Sequence, residues 1–90
     1  MPFSDINAIV GQFSNLANEA LRVYKPIVNE IIEKQSQDEN HIQRTLDYLL
    51  DFCFDEKLLT LYRRLCRYYW DINPQATANY IDYYREMYDS

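Results

Sequence analysis

Ninety residues with a mass of 10.9 kDa fit one domain and no more. Apolar types make up 48% of the chain, which excludes a disordered protein, and fourteen acidic against nine basic residues (net −5) oppose non-specific binding to nucleic acid. One glycine and nine tyrosines are the unusual counts; so little glycine excludes turn-rich all-β folds and any Gly-rich phosphate loop.

The first predicted element is a long helix over residues 4–35. Ser4 is placed to cap it, with Phe3 as a hydrophobic staple and Asp5 in the first turn. Ile6, Ile9, Val10, Phe13, Leu16, Ala17, Ala20, Leu21 and Tyr24 then follow the i, i+3, i+4, i+7 spacing of an amphipathic helix. Pro26 has no N–H to bond back to Arg22, so a kink is expected there. Ile27, Val28, Ile31 and Ile32 nevertheless continue the same stripe, which favours one kinked helix over two. Gly11 costs about 1 kcal/mol against alanine inside this helix and points to a close backbone approach. At 1.5 Å per residue the helix would reach about 48 Å, roughly twice each of the others. Either the kink folds it back on itself, or part of it overhangs.

Ser36-Gln37-Asp38-Glu39 has the capping-box pattern and opens a second helix, whose apolar face is Ile42, Leu46, Leu49 and Cys53, flanked by Thr45 and Phe52. A third stripe follows: Leu58, Tyr62, Leu65, Cys66 and Tyr69. Charged Glu56 and Lys57 occupy the positions that would join the two stripes, so a break is expected there with Asp55 as cap. The alternative is one continuous helix over 37–70. Asn73-Pro74 reads as a cap followed by proline at the first helical position. The fourth helix is predicted to run to about Tyr88, with Ala76 or Thr77, Tyr80, Ile81, Tyr84, Met87 and Tyr88 inward. The fold expected is all-α: a single domain over residues 1–90, a small up-and-down bundle of four helices with a long first helix kinked at Pro26.

Chemistry is limited by what is missing. The N-terminus lacks the basic and apolar regions of a signal peptide, and no apolar run approaches the roughly 20 residues of a membrane span. A cytoplasmic protein without membrane contact is expected, with Cys53 and Cys66 as reduced thiols on apolar helical faces. His41 is the single histidine, so the chain holds too few ligands for a structural zinc site. Asp38-x-x-His41 imitates half of a helical di-iron motif, and the other half is missing. His41 and Cys53 lie about 18 Å apart on one helix, too far to form a nucleophile pair. The expectation is therefore no metal, no cofactor and no enzyme.

Three surfaces remain. Arg63, Arg64 and Arg67 share a helical face edged by Tyr68 and Trp70, the residue types that grip phosphates and stack on bases. Nucleic-acid contact through Arg63, Arg64, Arg67 and Tyr68 is possible but disfavoured, because acidic segments flank them and a solvated or partner-facing face is the plainer reading. Helices three and four also have the outline of a helix-turn-helix. The would-be recognition helix carries Asp82 and Glu86 with only Arg85, however, so an ordinary hairpin is expected. The second surface is aromatic. Tyr83 falls among Asn79, Asp82 and Glu86 on a polar face and Trp70 is marginal, so Arg63, Arg67, Trp70 and Tyr83 form a candidate protein-contact set. The third is an acidic stripe of Asp47, Asp51 and Asp55 at i+4 spacing, either a wet helix face or a mimic of DNA phosphates that blocks a basic site. The function expected is a non-catalytic protein-interaction module that self-associates or docks on a protein partner through the aromatic and Arg surface of helices three and four. A nucleic-acid-binding accessory protein and an acidic inhibitor are the alternatives.

Overall fold

A computed structural model describes the backbone of residues 2–89 and the side chains of residues 15–89. The described chain forms four α-helices, α1 (Pro2–Glu33), α2 (Glu39–Leu50), α3 (Glu56–Trp70) and α4 (Pro74–Tyr84), and ends in one π-helical turn over Arg85–Asp89. No strand occurs among the described residues. The all-helical expectation holds, and α3 packs against each of the other three helices.

α1 is a single helix with Pro26 inside it. It begins at Pro2, so Ser4 lies within the helix; the cap from Ser4, the staple from Phe3 and the surroundings of Gly11 fall outside the described side chains. At 1.5 Å per residue its 32 residues span about 48 Å. This accounts for the molecule's 51 Å long axis and for a radius of gyration of 14.7 Å, against about 12 Å for a compact chain of this length. Overhang, not folding back, resolves the length mismatch.

The end of α1 explains why the capping box fails. Ser36 N–H donates to Ile31 O (2.9 Å) and Gln35 N–H to Ile32 O (3.1 Å), the paired bonds of a Schellman motif, with Gln35 left-handed at φ 50°. The Ser36 N–H that a capping-box glutamate would accept is thereby already spent. Asp38 caps α2 instead, its carboxylate accepting the His41 N–H at 3.2 Å, while the Ser36 hydroxyl accepts from Asp38 N–H. A left-handed non-glycine residue costs about 1–2 kcal/mol. Gln35→Gly is therefore expected to stabilise the fold by about 1 kcal/mol and raise Tm by roughly 4–8 °C in a thermal melt. A lower Tm would contradict the assignment.

The other boundaries follow the expectation. α2 stops at Leu50, a turn covers 51–55, and the Asp55 carboxylate caps α3 by accepting from Lys57 and Leu58 N–H; a continuous helix over 37–70 is excluded. Asn73 caps α4 by accepting from Ala76 N–H at 3.0 Å, with Pro74 at the start of the helix. The predicted stripes make the core: Ile42, Leu46, Leu49 and Cys53 meet Leu58, Tyr62, Leu65, Cys66 and Tyr69, joined by Leu61 and by Val28 and Ile31 of α1. Of Ala76 and Thr77, Thr77 is the buried one, its hydroxyl donating to Asn73 O.

The fourth helix ends earlier than expected. From Arg85 the chain widens into the π turn, which slows the rotation of successive residues about the axis. That slip carries Tyr88 onto the core, where its hydroxyl donates to Leu50 O at 2.8 Å, and swings Met87 out to half exposure. An inward Met87 is thus corrected by the change of helical pitch.

Both cysteines are buried and free, and burial pushes each thiol up to about 12. Only the thiolate reacts with alkylating agents. Neither cysteine should react with iodoacetamide at pH 8 in the native protein, and both should react in urea; a native thiol labelled at the denatured rate would contradict this packing.

Candidate interaction surface between α3 and α4

Tyrosine hydroxyls set the relation between α3, α4 and their neighbours. Tyr62 of α3 donates to Tyr80 O (2.7 Å), Tyr80 donates to the Asp47 carboxylate of α2 (2.9 Å), and Tyr68 donates to Ser36 O (2.7 Å). Tyr69 is fully buried, and its hydroxyl accepts from the Gln43 amide and donates to the Glu39 carboxylate, both at 2.7 Å. Asn73 adds a second donor to Glu39 at 2.9 Å. Each ring fills the core and each hydroxyl reaches an acceptor on another element or at its edge, so the tyrosine excess serves both packing and registration.

Glu39 gives this arrangement a pH dependence. Bonds from Tyr69 and Asn73 hold its carboxyl below the ordinary value of 4.5. A group whose folded pKa is depressed contributes stability that is present above its unfolded value and lost as pH falls through the folded one. Urea midpoints should therefore decline below about pH 4.5. In Glu39→Gln that acid slope should flatten; an identical slope in the two proteins would contradict the role.

Residues of α3, α4 and the π-helical turn line a groove of about 650 Å³. Its floor holds Leu59, Tyr62, Cys66, Ile81 and Tyr84, and its rim holds Arg63, Arg67, Trp70 and Arg85, with Asp71 and Asp89 also lining it. Trp70 is 49% exposed, too open for a core residue of its size. Exposed ion pairs join Arg22 to Glu19 and Lys34 to Glu30 on α1 and its end, while the groove sets three arginines, Arg63, Arg67 and Arg85, against two carboxylates, Asp71 and Asp89.

The sequence-derived surfaces are redistributed by this geometry. Arg63, Arg67 and Trp70 come together in the groove. Tyr83 does not join them: it stays half exposed with its ring edge-on to Tyr80 at 5.6 Å. The Arg face divides, because Arg64 donates to the Asn29 side chain of α1 and Tyr68 is held by Ser36 O, leaving Arg63 and Arg67 for the groove. The acidic stripe also breaks up: Asp47 accepts from Tyr80, Asp51 ends α2, and Asp55 caps α3. Ending α2 at Leu50 removes the helix on which i+4 spacing would have aligned them. Arg85 and Tyr84 were not singled out for this surface. Their signal was weak, since Arg85 is the lone base on an acidic segment and its relation to Arg63 across the groove is tertiary.

No cluster of three or more His, Cys, Asp or Glu side chains is arranged to hold a metal among the described residues, and no helix there is long and apolar enough to cross a membrane. His41 and Asp38 meet only through the helix cap. An apolar floor, a half-exposed indole and three guanidinium groups against two carboxylates suit the recognition of a segment that carries both apolar side chains and carboxylates. No family model, curated protein or solved structure matches the chain.

Proposed function

We propose that this chain is a non-catalytic protein-interaction module that docks an acidic, partly apolar segment of a protein partner in the groove between α3 and α4. The observation that carries this reading is the rim of Arg63, Arg67, Arg85 and Trp70 around an apolar floor. Tryptophan and arginine dominate binding hot spots, and arginine pairs with carboxylates in bidentate geometry. Nucleic acid remains the weaker occupant, since engaging Arg64 and Tyr68 on α1 and the following loop leaves two of the four residues that would have gripped it. The reading places the protein in the cytoplasm, without cofactor. It also takes the four helices as an up-and-down bundle with α1 bent at Pro26, an order supported by the bonds from Tyr69 to Gln43 and Glu39 and from Tyr62 to Tyr80.

Peptide display against the immobilised protein tests it. Selection should enrich sequences pairing Asp or Glu with aromatic or aliphatic residues, and these should fail to bind an Arg63→Glu, Arg67→Glu variant with an unchanged melt. Enrichment of basic peptides, no enrichment, or equal binding to the variant would sink the proposal. Labelled DNA and RNA titrated at low salt should show no binding that those two substitutions remove.

A further inference from the structure

The groove is ordered along its length. A turn over 71–73 joins α3 to α4, and α4 returns beside α3 with the Tyr62 and Tyr84 rings 6.3 Å apart. At equal rise that pairing sets Trp70 level with Thr77, Cys66 with Ile81 and Arg63 with Arg85, all of them groove residues. Measured from Trp70, Arg67 is rooted about 5 Å along the wall, Arg63 and Arg85 about 10 Å, and Leu59 about 17 Å. Asp71 stands at the turn end, and Asp89, one helical turn beyond Arg85, stands at the open end. The two lining carboxylates thus mark the ends, and the three arginines are rooted between them.

The floor decides what form of backbone can lie on it. Leu59, Ile81 and Tyr84 are half-buried, so apolar surface there is still open to a ligand. Two floor hydroxyls are already spent, Tyr62 donating to Tyr80 O at 2.7 Å and Thr77 to Asn73 O at 2.9 Å. Both walls are helical, so their backbone groups bond along their own axes, and no strand edge exists among the described residues. An extended segment laid here would give up water at its N–H and C=O groups without replacement. A helix brings its own backbone bonds and presents side chains alone. The fold already seats one helix in this way, since α1 lies against both α2 and α3.

We infer that the segment docked in this groove, resting on the docking function proposed above, is an amphipathic α-helix of about three turns. It lies along α3 with carboxylates one turn apart over Arg63 and Arg67, a further carboxylate facing Arg85, and an apolar side chain over Trp70. Spacing separates this occupant from an extended one. The acid opposite Arg63 and the apolar residue opposite Trp70 are about 10 Å apart, which is roughly seven positions on a helix and three on an extended chain.

Calorimetry on the full chain with synthetic peptides tests the inference. The first peptide is alanine-based and fourteen residues long, with glutamate at its third, fifth and seventh positions and leucine at its fourth, eighth and eleventh, made in both sequence orders. The second has proline at its ninth position, which breaks the helix without altering those side chains. The third has seven residues, too few to hold a helix, with glutamate second and leucine fifth. The first, in its tighter order, should bind at least about 10-fold more tightly than the other two, and its isotope-labelled backbone should show helical chemical shifts when bound. Arg85→Glu should weaken it at least about 10-fold with the thermal melt unchanged. Equal binding by the proline or the short peptide, or a bound backbone that is not helical, overturns the helical occupant and leaves the docking function standing. An Arg85→Glu protein that binds normally overturns the placement. No binding by any of the three overturns the inference too, and the display selection, which imposes no conformation, then decides the docking function by itself.

Discussion

Tyr69→Ala is expected to destabilise the fold by about 3–5 kcal/mol, the range for deleting a large buried side chain. A chain of this size has only about 5–13 kcal/mol in total, so the variant should be near the edge of folding at 37 °C. Two separate losses combine. Tyr69 is the largest of the fully buried side chains, a member of the hydrophobic core where α3 meets α2. Its hydroxyl also joins Gln43 and Glu39, and through Glu39 reaches Asn73, the cap of α4. Tyr69→Phe separates the two: the ring remains, the Gln43 amide and Glu39 carboxylate lose a partner, and the cost falls to about 1–2 kcal/mol. Urea denaturation of the three proteins measures both quantities. Equal midpoints for Tyr69→Ala and Tyr69→Phe would show that packing of the ring contributes nothing, contrary to its burial.

Trp70→Ala should have the opposite profile. The side chain lies half exposed on the groove rim, so its removal is expected to change stability by no more than about 0.5 kcal/mol. Binding of a groove-selected acidic peptide should weaken by 2 kcal/mol or more, about 30-fold in Kd, as for an aromatic hot spot. Arg67→Ala should also weaken it, and more so at low salt than at high salt, because the guanidinium acts partly through a screened charge. Calorimetry on the peptide complex gives the affinities and a thermal melt gives the stability. A Trp70→Ala protein that binds normally, or that melts many degrees lower, would mean that the indole serves the core and not a partner.

How much of this was legible beforehand depends on the range of each interaction. Helix interiors were readable because Ile42, Leu46, Leu49, Leu58, Tyr62, Leu65 and Tyr69 repeat at helical spacing, and periodicity is a local property. Caps with a proline or a phase break beside them, Asn73 and Asp55, were readable for the same reason. Ser36 was misassigned because two local motifs compete for one N–H. The Schellman closure of α1 wins it, and the sequence of Gln35 carries none of the glycine signal that would announce such a closure. Met87 was misplaced, while Tyr88 stayed inward as expected, because a π turn changes the helical period, which a fixed 3.6-residue count does not register.

The surface was legible in part. Arg63, Arg67 and Trp70 lie on one face of one helix, and helical geometry alone groups them. Tyr83 and Arg85 sit on the facing element, and which of them reaches the groove is decided by the crossing of α3 with α4. That crossing is fixed by the Tyr62–Tyr80 bond and by Thr77 at the start of α4. The stripe of Asp47, Asp51 and Asp55 failed for a related reason, since its premise was a helix extending beyond Leu50.

Trp70 is the single tryptophan of the chain, so its fluorescence reports on the groove and nothing else. Titrating the protein with a groove-selected acidic peptide while recording indole emission tests the central claim directly. The groove account predicts a saturable blue shift as the indole leaves water, lost in the Arg63→Glu, Arg67→Glu variant. A peptide that binds by calorimetry while the Trp70 emission stays unchanged would place the docking surface elsewhere and contradict it.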